Sequence, residues 1–402
     1  SHEVELVGPH WTGWRGPNRD GIATWLPSEL PAPPTVVWRK SVTGEALGGL
    51  AATNELVLVV DRDENDLKDV YRALSVEDGS ERWTFERRAV GALDYGNGTR
   101  ATPQIDGDRA YFVNAFGAVT ALRLSDGKQL WSRDYETDFK GRDKRNPWGA
   151  AASPLLVGDS VIINPGGPNA SLVSLSRDDG HTLWKSPGRR AAFSSFIRAK
   201  FGGVEQIVGY DQDTLGGWNA ETGERLWELK PIETGDFNVP TPIIVNDKLL
   251  VSTENNGTRL YAFDEHGTIN PTPIATNDQL APDTHSPIVL NHRVFGVWNG
   301  MHCLSLDNHL AAVWTNTDDL AFDDYAVVIG SGDRVLVISK FGELILLDAN
   351  ANEFQPLARH KIFKKDPGVY AHPALIGSRM ILRGSREVVC VELDRNKAGE
   401  NR

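Results

Sequence analysis

Six polar or aromatic side chains stand just before, or at the start of, short apolar strands that the sequence predicts. They are Arg100, Trp148, Asn238, His285, Tyr325 and Tyr370. Arginine provides a fixed cation, and aromatic rings provide flat surfaces for stacking. If the strands surround one axis, these residues would ring the mouth of a central channel and bind a planar anionic ligand. The alternative is a water-filled channel with satisfied polar side chains.

Two loops between predicted strands are long enough to be more than connectors. The first covers 94–100 and the second covers 140–148. The second loop is basic in an otherwise acidic chain, with Lys140, Arg142, Lys144 and Arg145. It is interpreted either as a solvated loop or as a site for an acidic partner or a sulfated glycan.

Other site chemistries have little support in the sequence. The stretch 61–66 has acidic residues at alternating spacing, but it lacks the glycine and the closing glutamate of a calcium loop. Gly166-Gly167-Pro168 is predicted to be a hairpin turn, because no helix follows to complete a phosphate site. No Gly-x-Ser-x-Gly elbow occurs. We therefore predict no metal site and no hydrolase or nucleotide chemistry.

Composition limits the partners further. The net charge of −12 and the sequence pI of about 5.4 disfavour nucleic acid and anionic lipid. No apolar run approaches the roughly 20 residues that span a bilayer. The two cysteines, Cys303 and Cys390, are predicted to be buried free thiols. The sequence begins at Ser1 without a signal h-region, so we expect an exported protein whose leader has been removed.

A repeated sequence motif, which we call the phrase, defines the structural units that position these residues. An apolar alternating run is followed by an acidic residue or threonine, glycine, usually leucine, and tryptophan. The tryptophans stand at positions 38, 83, 131, 184, 227 and 314, the spacing of a unit of roughly 45 residues with one copy lacking its tryptophan. We interpret the tryptophan and glycine as structural, because each unit must pack against its neighbours.

Each unit reads as four short antiparallel strands. In the unit 99–134 the strands are predicted at 101–105, 109–113, 118–124 and 129–133, with Asp106-Gly107 in the first turn. Eight inner-strand starts can be counted, near residues 47, 101, 151, 193, 239, 285, 326 and 371. The last unit lacks a fourth strand, whereas 34–40 is a fourth strand without the first three.

The sequence therefore predicts an all-β fold, an eight-bladed β-propeller of four-stranded antiparallel blades. An N-terminal strand completes the last blade and closes the ring. The expected organisation is an N-terminal extension at 1–33, a single propeller at 34–394 with its closing strand at 34–40, and a polar tail at 395–402.

The phrase at 121–131 resembles the repeat of pyrroloquinoline-quinone (PQQ) propellers, the family of quinoprotein alcohol dehydrogenases and their non-enzymatic relatives. The opening 11–21, Trp-Thr-Gly-Trp-Arg-Gly-Pro-Asn-Arg-Asp-Gly, is similar to the N-terminal signature of secreted bacterial PQQ-like repeat proteins. The resemblance covers nearly the whole chain. The enzymes of this family are longer and have an adjacent cysteine pair and a calcium site; no adjacent pair occurs here. The propeller lipoproteins of the outer-membrane β-barrel assembly machinery are closer in size.

Three functions follow from the resemblance and the loops. The first is an exported, periplasmic or secreted, non-catalytic scaffold that binds a protein or small-molecule ligand at the loop face, as a monomer. The second is a PQQ-dependent oxidoreductase, for which the family implies PQQ and calcium as cofactors. The third is a propeller that binds or cleaves glycans with its long loops.

Overall fold

A computed structural model describes residues 10–44, 46–141, 146–364 and 368–397. In these ranges 32 strands form eight sheets of four strands, each sheet a blade of one propeller. Every blade is antiparallel and runs in chain order from the inner to the outer strand, except the last. The predicted eight-bladed all-β propeller is confirmed. No helix in these ranges combines the length and the apolar character needed to cross a bilayer.

The strand bounds, in chain order, begin with the closing strand and blades 1 to 4: β1 Thr35–Ser41, β2 Ala51–Ala52, β3 Leu56–Arg62, β4 Lys68–Ser75, β5 Glu81–Arg88, β6 Gln104–Asp106, β7 Arg109–Val113, β8 Ala118–Arg123, β9 Gln129–Asp134, β10 Leu155–Val157, β11 Ser160–Ile163, β12 Leu172–Ser176, β13 Thr182–Ser186, β14 Ile197–Phe201, β15 Val204–Tyr210, β16 Leu215–Asn219 and β17 Arg225–Leu229.

Blades 5 to 8 contain β18 Ile243–Val245, β19 Lys248–Thr253, β20 Gly257–Tyr261, β21 Ala275–Asn277, β22 Ile288–Leu290, β23 Arg293–Val297, β24 Met301–Ser305, β25 Ala311–Asn316, β26 Ala326–Ser331, β27 Arg334–Ser339, β28 Glu343–Asp348, β29 Pro356–Lys361, β30 Ala374–Ile376, β31 Arg379–Arg383 and β32 Glu387–Glu392. A short helix, α1 (Tyr135–Phe139), follows blade 2, and a 3₁₀ turn at Leu320–Phe322 follows blade 6.

The ring closes as predicted, with β1 as the outer strand of blade 8. It pairs antiparallel with β32, and Trp38 lies opposite Cys390 in this register. One apolar cluster joins the blades on both sides of the closure, and it includes Val59, Ile338 and Met380. Pairing the two ends of the chain gives blade 8 its fourth strand, so that β32 is paired on both sides.

The repeated tryptophan and glycine interlock neighbouring blades. The Trp83 ring of blade 1 lies on Gly127 of blade 2, where an added Cβ would be 2.7 Å from the ring. Trp83 Nε1 also donates to the Leu124 carbonyl of blade 2 at 2.7 Å. Gly79, Gly180 and Gly223 contact Trp38, Trp131 and Trp184 of the neighbouring blade in the same way. All four glycines have φ of 71° or 72°. The glycine therefore has two roles: it allows the positive φ of the turn, and its lack of a side chain leaves room for the tryptophan ring of the neighbouring blade.

Hydroxyl side chains before the inner strands join the blades near the axis. Thr102 Oγ1 accepts from the Gly49 amide at 3.1 Å, Ser153 Oγ accepts from the Thr102 amide at 2.9 Å, and Ser195 Oγ accepts from the Ser153 amide at 3.0 Å. These amides bond to the next blade rather than to a strand partner. This explains why β6 begins at Gln104 and not at the predicted residue 101.

Candidate functional site

The loop face is the side of the ring that carries two kinds of connection. One joins the outer strand of a blade to the inner strand of the next blade. The other is the turn between the second and third strands of a blade. All six residues of the predicted channel mouth lie in the first kind of connection. The structure divides them into groups that make different contacts.

His285, Tyr325 and Tyr370 come together. The rings of His285 and Tyr325 stack, with centroids 5.2 Å apart and planes 25° apart. Tyr325 and Tyr370 are 5.5 Å apart and tilted by 52°. These residues precede the inner strands of blades 6, 7 and 8, so three neighbouring connections supply one row of rings.

His285 is a buried, neutral imidazole. Burial lowers its pKa, although Asp283, with its carboxylate oxygen 3.7 Å from Nδ1, opposes the shift. Nε2 lies 3.2 Å from the Asp324 carbonyl oxygen. Since a carbonyl only accepts, Nε2 is assigned the proton. The His285 ring is thus held in one tautomer at the predicted channel mouth.

Trp148 belongs to a second group of rings. Its indole lies 5.5 Å from the Phe193 ring and 5.2 Å from the Phe237 ring, both at interplanar angles of 77°. The three residues come from the connections that follow blades 2, 3 and 4. Neither phenylalanine was identified from the sequence as part of a site, although both also precede inner strands.

Arg100 and Asn238 donate hydrogen bonds to backbone carbonyls of nearby loops. The Arg100 guanidinium donates to the carbonyls of Asp94 and Gly96, each at 2.7 Å, and burial lowers the Arg100 pKa to about 10. Asn238 has φ of 54°, and its Nδ2 donates to the Gln212 carbonyl at 3.1 Å. The hydrogen bonds of each side chain thus stabilise the conformation of a loop.

The N-terminal segment 10–30 crosses the central channel. Trp11 and Ala52 of blade 1 exchange two backbone hydrogen bonds of 2.7 Å. The Thr12 carbonyl accepts from the Ile105 amide of blade 2 at 2.7 Å, and Ile22 bridges to Gly330 of blade 7. Inner strands surround the axis, so a segment that bonds to all three must lie on it. Part of the channel is therefore occupied by the chain's own N-terminal segment.

Two arginines anchor the segment to further blades. Arg15 Nη2 donates to the Pro287 carbonyl of blade 6 at 2.5 Å. Arg19 donates to the carbonyls of Ser153 and Pro154 in blade 3, at 3.0 Å and 2.7 Å. Burial lowers the pKa of Arg15 to about 10 and that of Arg19 to about 9. The charges sit among backbone carbonyls, which supply partial negative charge at the axis.

Two tryptophans of the segment, Trp11 and Trp14, contact His372 of blade 8. The Trp11 ring stacks on it at 6.0 Å and 18°, and the Trp14 ring meets it edge-on at 5.4 Å. Trp14 Nε1 donates to Thr241 Oγ1 of blade 5 at 2.8 Å. Burial, with a smaller effect from the charge of Arg15, lowers the His372 pKa to about 3. The motif at 11–21 was noticed in the sequence, but nothing in it indicated these contacts.

A calcium site of the kind that the family resemblance implies needs several oxygen ligands in one place. Within the described ranges, no group of three His, Cys, Asp or Glu side chains is placed to hold a metal ion together. Cys303 and Cys390 are free and buried, as predicted, and lie in blades 6 and 8. We therefore assign no residue to PQQ or calcium. Of the basic loop, residues 142–145 lie outside the described residues.

A cavity of about 560 Å³ opens on the loop face between blades 2 and 5. Trp148, Phe193 and Phe237 line it. Tyr135 of α1 and Asn164 of blade 3 also line it, at 3% and 5% exposure. The Tyr135 hydroxyl is buried and interacts with the Asn164 backbone. The cavity lining thus contains several aromatic side chains.

Exposed apolar side chains concentrate on the same face. Among the described residues, eight of the fifteen large exposed hydrophobic side chains lie in its connections and turns: Leu67, Val90, Tyr95, Ile232, Phe237, Leu320, Phe341 and Tyr370. On the opposite face, the connection before β21 exposes Ile274. Exposed apolar surface of this kind marks interaction sites in soluble proteins.

The matching family model and the two curated relatives below have the same description. A family model described as outer membrane protein assembly factor BamB matches residues 32–165 and 168–320. A protein of that name from Shewanella oneidensis is 22% identical over 232 residues, 54% of this chain and 56% of the relative. Another from Vibrio cholerae serotype O1 is 25% identical over 145 residues, 36% of this chain and 35% of the relative. The chain thus spans about half, or less, of the length of the curated relatives it matches.

Solved structures share the fold. BamB from Moraxella catarrhalis has 14% identity and a TM-score of 0.61, covering 88% of this chain and 98% of that one. Quinohemoprotein alcohol dehydrogenase from Comamonas testosteroni has 11% identity and a TM-score of 0.67, covering 97% and 81%. A europium-containing methanol dehydrogenase has 10% identity and a TM-score of 0.67, covering 96% and 98%. These likenesses concern the fold alone. Because the family model matches well over half of the chain, this protein belongs to the PQQ-repeat family described as outer membrane protein assembly factor BamB.

Proposed function

We propose that this chain is an exported, non-catalytic scaffold that binds another protein through its loop face. The observation that carries the proposal is the concentration of exposed apolar side chains on that face, on connections from several different blades. A rigid ring presents such connections in fixed positions, so binding costs little ordering of the scaffold. The family name, which refers to assembly of outer-membrane proteins, supports a partner in the cell envelope.

The occupied channel supports the same proposal. Residues 10–30 bond to the inner strands of the ring, so the chain's own segment takes up space on the axis. Among the described residues, the loop face carries eight of the fifteen large exposed hydrophobic side chains. Aromatic side chains are enriched at the centres of protein interfaces.

A variant of the loop face tests the proposal. Tyr95, Ile232 and Leu320 are 76%, 77% and 71% exposed, so replacing all three by serine should leave the fold intact. The matched control is Ile274→Ser on the opposite face. Tagged proteins would be crosslinked in envelope preparations of the source bacterium, and recovered proteins quantified by mass spectrometry.

We expect the original chain and Ile274→Ser to recover the same partner, and the triple variant to lose most of it. Equal recovery by the triple variant would show that the loop face is not the binding surface. Dye-linked alcohol dehydrogenase turnover after addition of PQQ and calcium would contradict the non-catalytic part of the proposal and favour the oxidoreductase alternative.

A further inference from the structure

We infer that the loop face from blade 4 to the start of blade 7 binds a basic segment of the partner protein, in which lysine or arginine residues flank apolar ones. The inference rests on the proposed function, because it names the chemistry of the partner that the loop face would bind. We call this part of the loop face the sector. It consists of the connections and turns 211–214, 230–242, 254–256, 278–287, 298–300 and 317–325.

The sector is strongly anionic. Its segments contain eleven carboxylate residues and a single lysine, Lys230. Five of the carboxylates form ion pairs with arginine or lysine, such as Asp278 with Arg259 at 2.7 Å and Asp319 with Arg359 at 2.5 Å. The other six have no such partner among the described residues: Glu233, Asp236, Glu254, Asp283, Asp318 and Asp323. The negative charge of the sector is therefore only partly balanced by the chain itself.

The connections of the sector form one surface. Burial raises the pKa of Glu254, in the turn between β19 and β20, and the negative charges of Asp236 and Asp283 raise it further. These two aspartates lie in the connections before and after blade 5. His285 Nε2 donates to the Asp324 carbonyl at 3.2 Å and so joins the next connection. Because this imidazole is neutral, it does not offset the charge of the carboxylates around it.

Exposed apolar side chains lie among these carboxylates. Ile232 is 77% exposed and adjoins Glu233, while Leu320 is 71% exposed and lies between Asp318 and Asp323 in the chain. Carboxylates alone would attract any cation, whereas exposed aliphatic groups are stabilised only when apolar atoms cover them. A metal ion would leave the aliphatic groups in water, and no group of three metal-ligating side chains is found in the described ranges. A polypeptide with aliphatic residues beside lysine or arginine satisfies both features.

Two matched variants test the role of charge. The sector variant combines Glu233→Gln, Asp318→Asn and Asp323→Asn. The control variant makes the same kind of change in the turns between the third and fourth strands of blades 4, 5 and 6, on the opposite face: Glu221→Gln, Glu265→Gln and Asp307→Asn. All six side chains are exposed, so both variants should fold and both have the same net charge. A difference between them therefore reports the position of the charge.

The probes are fluorescent peptides of equal length, and binding to the full chain is measured by fluorescence anisotropy. One peptide alternates lysine and leucine, the second glutamate and leucine, and the third lysine and serine. We expect the lysine–leucine peptide to bind most tightly. The sector variant should bind it about tenfold more weakly or worse, and raising the ionic strength from about 0.05 M to about 0.3 M should weaken binding to the original chain, because exposed charges are screened. The control variant should keep the original Kd within about twofold.

The inference is overturned if the sector and control variants bind the lysine–leucine peptide equally, or if the glutamate–leucine peptide binds as well as the lysine–leucine one. Crosslinking in envelope preparations separates this result from the proposed function. We expect the sector variant to recover much less partner than the control variant, and the partner segment crosslinked to the sector to have a net positive charge. A neutral or acidic segment would overturn the inference.

The serine variant of Tyr95, Ile232 and Leu320 completes the comparison. If this variant loses the partner while the sector variant keeps it, the loop face is the binding surface but does not recognise charge, so the inference fails and the proposed function stands. If both variants keep the partner, both proposals fail.

Discussion

The buried imidazole of His372 is expected to make this fold sensitive to mild acid. The ring stacks on Trp11, meets the edge of Trp14, and lies near the positive charge of Arg15. Its Nδ1 is assigned the proton, because it lies 3.2 Å from the Pro373 carbonyl. Protonation would put a second charge among these rings without a carboxylate to balance it. The perturbation is therefore a fall in pH, and His372→Phe is the variant that removes the titrating group while keeping a stacked ring.

The size of the effect follows from the pKa values of the two states. The folded value is about 3, and an unfolded histidine has a pKa of about 6.5. Between these values the unfolded chain binds more protons, so the free energy of unfolding falls as pH falls. One pH unit corresponds to about 1.4 kcal/mol, so two units below the unfolded pKa cost about 3 kcal/mol. Above about pH 7 the contribution is complete.

Equilibrium urea unfolding, followed by far-UV circular dichroism at about pH 7.5 and about pH 4.5, measures this difference. Other groups also titrate over this range, including His285, whose pKa burial lowers. They remain in His372→Phe, so the informative quantity is the change in unfolding free energy of the original chain minus that of the variant. We expect about 3 kcal/mol. His266→Phe, an exposed position, is the control. Equal pH dependence in the original chain and His372→Phe would refute the placement of this ring beneath the two tryptophans.

Three further predictions concern packing. Trp11→Ala, at a residue only 2% exposed, should cost about 3–5 kcal/mol in unfolding free energy by denaturant titration, whereas Trp25→Ala, 38% exposed, should cost far less; equal costs would contradict the channel position of Trp11. Gly127→Ala should destabilise by more than Gly158→Ala in thermal melts, because both have positive φ but only Gly127 places the new methyl 2.7 Å from a tryptophan ring; similar losses would mean that the interlock contributes little. The thiols of Cys303 and Cys390, whose pKa values burial raises to about 11 and about 12, should react with Ellman's reagent only after unfolding, and rapid reaction of native protein would contradict their burial.

The parts of the fold that repeat were predictable from the sequence. The eight blades, the antiparallel strands and the closing strand agree with the structure, because the blades repeat one pattern of alternating apolar residues, and six of the eight outer strands carry the tryptophan. Because the pattern recurs in many units, a strand that is ambiguous in one unit can be predicted from the others. The starts of the inner strands were predicted less well: the first strand of blade 2 begins at Gln104 rather than at residue 101, since the Thr102 amide bonds to the neighbouring blade.

The candidate site was predictable only in part. All six residues of the predicted mouth lie in connections that lead to inner strands, and His285, Tyr325 and Tyr370 lie together. The sequence did not indicate that Arg100 would turn back onto its own loop carbonyls. Side-chain direction in a connection depends on the exact path of the loop, which has no periodicity from which to infer it.

By itself, then, the sequence determined the architecture of this protein: the number of blades, their order of strands and the way the ring closes. Those features depend on contacts between adjacent units, and adjacent units carry the same signal. Tertiary structure alone decided how the axis is filled and where the cavity lies. The hydrogen bond from Trp14 to Thr241 joins residues 227 positions apart, and the one from Arg15 to Pro287 joins residues 272 positions apart. Contacts of this range form once, between residues brought together by the completed ring, and no local pattern of residues encodes them.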